Sequence, residues 1–159
     1  MTAILPPIPR LVFTVLEPIS LLAGAVAPFV SPEWFIAEQI AFSTAGPVTA
    51  NARMVAYQLG NIYLLLAMVG IAVLSSTTEA KVVRNYLVAL WLADISHVAI
   101  TSYILGPELL LDIANWNPMT WGNIGATVLL FATRTAYLLG LFGPDRKPSP
   151  VSRSNKKLQ

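Results

Sequence analysis

"ALWLADISHVAIT", residues 89–101, sets an aspartate and the chain's one histidine inside a run that is otherwise apolar. Asp94 and His97 stand three residues apart, so on a helix they share a face. Ionisable groups in such a run are costly, and those that persist usually face the interior of a bundle and serve a function. With its flanks the stretch is long enough to cross a bilayer, since about 20 apolar residues span the hydrocarbon. The composition of the whole chain agrees. Of 159 residues, 55% are hydrophobic and only 11% charged, against about 25% charged in soluble domains, and the mean hydropathy is +0.65.

Composition also excludes several chemistries. The absence of cysteine removes disulfides, thiolate catalysis and cysteine metal sites, and one histidine cannot build a multi-histidine zinc centre. No glycine-rich phosphate loop is present, so no nucleotide is expected. The net charge of +2 is small and its basic residues group toward one end, which does not make a nucleic-acid face. No cofactor and no metal are expected.

Four stretches have spanning length: residues 11–30, 54–74, 85–105 and 121–142. Pro18 and Pro28 predict a kink or early end in the first. "WFIAEQIAF" (34–42) is too short to span and mixes acids with bulky apolar side chains, which predicts an interfacial helix with Trp34 at headgroup depth. "GPELLLDIANW" (106–116) predicts a short surface helix after Pro107, and "NWNP" (115–118) a turn opening the fourth span, with Asn115, Asn117 and Asn123 near a lumenal mouth. The fold class is therefore all-α: a polytopic four-helix transmembrane bundle over residues 1–143, with a short interfacial helix. The polar, proline-containing residues 144–159 are expected to be a disordered tail.

Lysine and arginine placement sets the orientation. With four spans, Arg10, Lys81, Arg84, Arg146, Lys147, Arg153, Lys156 and Lys157 fall on one side and only Arg53 on the other, beside Glu33, Glu38, Glu108 and Asp112. Both termini are expected in the cytosol. The ending "KKLQ" then resembles a dilysine retrieval signal through Lys156 and Lys157, which points to the endoplasmic reticulum. The "AGAVA" run after Arg10 has some likeness to a signal-peptide cleavage site, but Glu17 and Pro18 within the apolar run favour a retained span.

Counting helical rise from each cytosolic end places Glu17 about 9 Å deep, Arg134 about 12 Å, Asp94 about 13 Å, His97 about 18 Å and Asn61 about 19 Å, with Gln58 one turn further. These six groups form two adjacent layers. Arg134 stays charged and is expected to hold Glu17 ionised. Asp94 is then left without a permanent partner, and in low dielectric it costs less as a neutral acid than as an anion. Such a carboxyl is a proton donor, with His97 placed to orient it and Glu17 as the second carboxylate. Arg134, Asn61 and Gln58 are expected to bind substrate or fasten helices. Ion pairs and amides also join transmembrane helices without any chemistry, so a non-catalytic scaffold or lipid-binding protein stands as the alternative.

The "EP" of Glu17 and Pro18, "ADISH" (93–97), and "NWNPMTWGN" leading into "TRTAYLLG" (133–140) resemble small four-span membrane proteins of filamentous fungi. The resemblance covers most of residues 10–142. It implies a place in secondary metabolism. There, similar proteins open epoxides of polyenes of the citreoviridin and aurovertin type, as hydrolases or cyclases. A looser similarity is to membrane terpene cyclases and emopamil-binding isomerases, which also place acidic residues between spans. Only the two carboxylates and the histidine are carried over: Asp94, His97 and Glu17 as catalytic residues. The expected activity is cofactor-independent opening of an epoxide in a lipophilic polyketide or terpenoid, with a double-bond isomerase as a further alternative. The expected partners are membrane lipid, a lipophilic substrate entering from the bilayer, and a pathway enzyme such as an epoxidase.

Overall fold

The computed structural model describes residues 4–41 and 46–146. Among these there are helices and turns and no strands. Helix α1 runs Pro7–Val30 and short α2 Pro32–Ala37; α3 is Ala50–Ser76 and α4 Ala80–Leu111. A 3₁₀ turn over Ile113–Asn115 leads to α5, residues 118–138. Three helices, α1, α3 and α4, are long and apolar enough to cross a membrane. Their apolar side chains largely face outward, Ile19, Val26, Leu65, Met68, Leu92 and Ile100 among them. This is the surface of a protein whose solvent is lipid.

Local sequence explains the departures from regular winding. Pro18 has no N–H to give to the turn before it. Ahead of it, residues Val12–Leu16 are wound as a π-helix, and the Glu17 N–H bonds the Val12 carbonyl five residues back. α4 breaks at Gly106, whose φ of 74° is open to glycine, and Pro107 restarts it. The short helix expected after Pro107 is present as this last segment of α4. The segment expected as an interfacial helix over 34–42 is shorter than anticipated. α2 begins at Pro32, where proline suits a first helical turn, and gives way to turns from Glu38. Residue 42 lies outside the described residues, as do the tail beyond Arg146 and the lysines Lys156 and Lys157.

α1 packs chiefly on α3, and α4 on α5. Gly60 permits the first pairing: a Cβ there would lie 2.7 Å from Pro28 Cγ and 2.9 Å from the Ala25 carbonyl oxygen. Phe29 and Tyr57 stack at 5.2 Å in the same interface. In the second pair, Trp91 Nε1 donates to Thr135 Oγ1 at 2.8 Å and its ring stacks on Phe131. The two pairs join at one end, where Leu5, Val12, Phe13, Leu74, Val83 and Tyr137 form a buried core. Arg10, Lys81, Arg84 and Arg146 also belong to this end, and the Arg146 N–H returns to the Ile4 carbonyl at 2.7 Å. Beyond this core a cavity separates the pairs.

Candidate functional site

Three helices bring three charged side chains together above the core. Arg134, on α5, is 1% exposed; Glu17 on α1 and Asp94 on α4 are each 8% exposed. Arg134 Nη2 donates to Glu17 and Nη1 to Asp94. The guanidinium carbon lies 5.3 Å from the centre of the Phe13 ring, an arrangement in which the aromatic face attracts the cation. Its Nε is buried with no hydrogen-bond partner.

The expected pairing of Arg134 with Glu17 is present, but Asp94 is not left unpartnered. A guanidinium is a rigid fork of five donors and serves two carboxylates at once. With both acids ionised the trio carries one net negative charge in a largely buried setting, which a proton or a bound donor relieves.

His97 is half-buried, one turn along α4 from Asp94, and lines the same cavity. No hydrogen bond joins it to Asp94 among the described residues, so the expected orienting contact is absent. Gln58 and Asn61 are exposed and do not line the cavity. Helical rise put them in the layer next to the carboxylates, near His97, but their direction around α3 takes them away from the cavity.

The cavity holds about 370 Å³ between the helix pairs, the scale of a small lipophilic ligand. Glu17, Asp94 and Arg134 lie on its wall, with Leu21, Leu66 and Leu130 supplying apolar surface, and Trp34, Phe35 and Met119 contribute from α2 and the start of α5. Two clasps hold the chain after α2 to α5. Asn117 Nδ2 donates to the Glu38 backbone oxygen at 2.9 Å and its carboxylate at 2.7 Å, and Asn123 Nδ2 donates to Gln39 Oε1 at 3.3 Å. Asn117 Oδ1 meanwhile accepts from the Thr120 N–H at 2.8 Å and so caps α5.

Among the cavity residues that the sequence pattern did not single out are Tyr63 and Tyr86. The Tyr63 ring packs against α1, where a Cβ on Gly24 would come within 3.1 Å of it. The Tyr86 hydroxyl crosses to α3, 2.9 Å from where Gly70 would carry a Cβ. Neither hydroxyl has a hydrogen-bond partner among the described residues, so both are free to serve a ligand. A signal did exist for Tyr63, because tyrosines of transmembrane helices favour the interfaces and this one stands mid-span.

Among the described residues no three histidine, cysteine, aspartate or glutamate side chains converge as a metal site would require. The carboxylates present are already held by an arginine. The fold and site thus define an all-helical membrane protein with a charged cluster at the wall of an internal cavity. The chain belongs to the family described as Domain of unknown function (DUF7704), which matches residues 2–144. No curated protein and no solved structure matches it.

Proposed function

We propose that the protein is a cofactor-independent membrane enzyme that opens an epoxide in a lipophilic polyketide or terpenoid by carboxylate acid–base catalysis. The observation that carries this reading is a ligand-sized cavity with two carboxylates on its wall that share one buried guanidinium. A bundle fastened only by that ion cluster has no need of a cavity beside it, which favours the enzyme over the scaffold.

In the reaction the trio takes up one proton, held on Asp94. The neutral carboxyl gives that proton to the epoxide oxygen as the C–O bond breaks. Water, or a hydroxyl of the substrate itself, attacks the carbon and passes its proton to His97 or to the ionised Glu17. Water yields a diol; an internal hydroxyl yields a cyclic ether. Return of the proton from base to acid restores the site. Arg134 holds the carboxylates in place and spreads the negative charge that remains, while Tyr63 and Tyr86 are available to donate to the epoxide or its product alkoxide. The apolar walls exclude bulk water, which makes the internal hydroxyl a competitive nucleophile.

We further place α5 as a fourth crossing antiparallel to α4, with the Arg10, Lys81, Arg84 and Arg146 end in the cytosol. The support is the continuous helix over residues 118–138 and the basic bias of that end.

Co-expression with a polyene epoxidase, followed by product analysis, tests the activity. Conversion of the epoxide to a diol or an isomeric cyclic ether is expected with the native chain and not with Asp94→Asn. Recovery of unchanged epoxide beside correctly inserted native protein overturns the reading.

A further inference from the structure

The cavity between the helix pairs is long and narrow. Its wall runs from Glu17 to Ala27 on α1 and from Pro118 to Arg134 on α5. At the rise of a helix those stretches are about 15 Å and about 24 Å long. Spread over that length, a volume of about 370 Å³ leaves a mean cross-section of roughly 15–25 Å². That is the width of one hydrocarbon chain and less than that of a fused ring system. Polarity is graded along the same axis. Glu17, Asp94 and Arg134 stand toward one end, and Phe35 and Met119 lie at the other. Below the trio Tyr86 packs on the buried Leu74, Val83 and Leu87, which form a closed floor.

We propose that Phe35 and Met119 are specificity-determining residues: they stop the tail of the substrate, and their distance from the trio selects its chain length. This rests on the reading of the cavity as the substrate site. A chain with its oxygen at the trio cannot extend downward into the packed floor, so its tail points along the helices toward Phe35 and Met119. A stop measures length only if it does not yield. Phe35 is 3% exposed, and the segment that follows it is fastened to α5 through the Glu38 and Gln39 contacts with Asn117 and Asn123. Met119 is half-buried and stands two residues after Asn117, inside the turn that this side chain caps. A chain too long for the space must displace one of these side chains or lift its oxygen away from Asp94, and either one lowers its fit.

The test uses the purified full chain in phosphatidylcholine nanodiscs and a series of linear primary alcohols of increasing length, each with a photoreactive diazirine on its last carbon. The hydroxyl stands in for the epoxide oxygen. Because these probes cannot be turned over, seating of the chain is read separately from the epoxide chemistry. Adducts located by peptide mass are expected at Trp34, Phe35 or Met119. Their yield should peak at one chain length and fall by about tenfold or more for chains a few carbons longer. Untagged alcohol of the best length should compete, and a sterol should not. Met119→Ala and Phe35→Leu move the peak to longer chains, and Ala126→Leu, which fills the cavity wall, moves it to shorter ones. Leu22→Ala, outside the cavity, leaves it in place. Yield that does not depend on length overturns the proposal, as do adducts confined to lipid-facing residues, competition by the sterol, or an unmoved peak in any of the three cavity variants that retains native helical content. A sharp peak in a chain that opens no epoxide would remove the proposed chemistry and keep the length selection; turnover of epoxides of every length alike would do the reverse.

Discussion

Arg134 and Asp94, forty residues apart in sequence, meet in a buried hydrogen-bonded ion pair that ties α5 to α4. The same guanidinium also reaches Glu17 on α1, so one side chain holds three helices. Removing it strands two carboxylates in low dielectric. Arg134→Ala is expected to cost about 3–5 kcal/mol, read as lost resistance to unfolding by a denaturing detergent. Adding Glu17→Gln and Asp94→Asn should recover much of that loss, because the orphaned charges are gone. If the triple variant is no more stable than Arg134→Ala, the loss comes from packing, not charge.

The trio was legible because helical rise is fixed: counting residues inward from each end brings Glu17, Asp94 and Arg134 to one level. What counting cannot supply is direction around a helix. Gln58 and Asn61 fall in the adjacent layer and face outward, and in α3 nearly every neighbour is apolar, so no polar stripe reveals which side is inside. The assignment of one acid to one arginine failed for a different reason, since charge arithmetic ignores that a guanidinium is a fork. Lengths of apolar run gave α1, α3 and α4 directly. α5 is harder, because Asn123, Arg134 and several threonines dilute it. The clasp from Asn117 to Glu38 joins segments 79 residues apart, and no local pattern encodes it.

Gly60 tests the α1–α3 pairing. Ala at this position would press a methyl group against the Pro28 ring and the Ala25 carbonyl oxygen, neither of which swings aside. Overpacking of this kind costs about 1–3 kcal/mol. Gly122 offers the control, with open space where its Cβ would be. Gly60→Ala should lower the unfolding midpoint well below that of Gly122→Ala; equal midpoints would show that the two helices approach less closely than described.

Asn117 carries both a helix cap and the clasp on the chain after α2. Asn117→Ala should destabilise by about 1–2 kcal/mol and loosen the cover that Trp34 and Phe35 provide. Because the chain has no cysteine, one introduced at Ala126, on the cavity wall, reports access. Its modification by a water-soluble thiol reagent should be faster with Asn117→Ala than without. An unchanged rate would mean that the clasp does not limit entry to the cavity.

Asp94 and His97 share the cavity wall and one helix face, yet they differ in what holds them, and their substitutions should differ accordingly. Asp94→Asn keeps the size of the side chain and an oxygen for Arg134, but it has no proton to transfer. It also removes the net negative charge of the trio, so stability should hold or rise while epoxide turnover falls by about 10²-fold or more. His97 has no hydrogen bond to Asp94 and lies outside the ion cluster, so His97→Gln should leave stability unchanged. If the imidazole accepts the nucleophile's proton, His97→Gln lowers turnover by about 10²-fold while Glu17→Gln costs less. If Glu17 is the base instead, His97→Gln retains near-native turnover and Glu17→Gln takes the larger loss. Native turnover in Asp94→Asn would remove the aspartate from the chemistry and leave it as one arm of the Arg134 fastening.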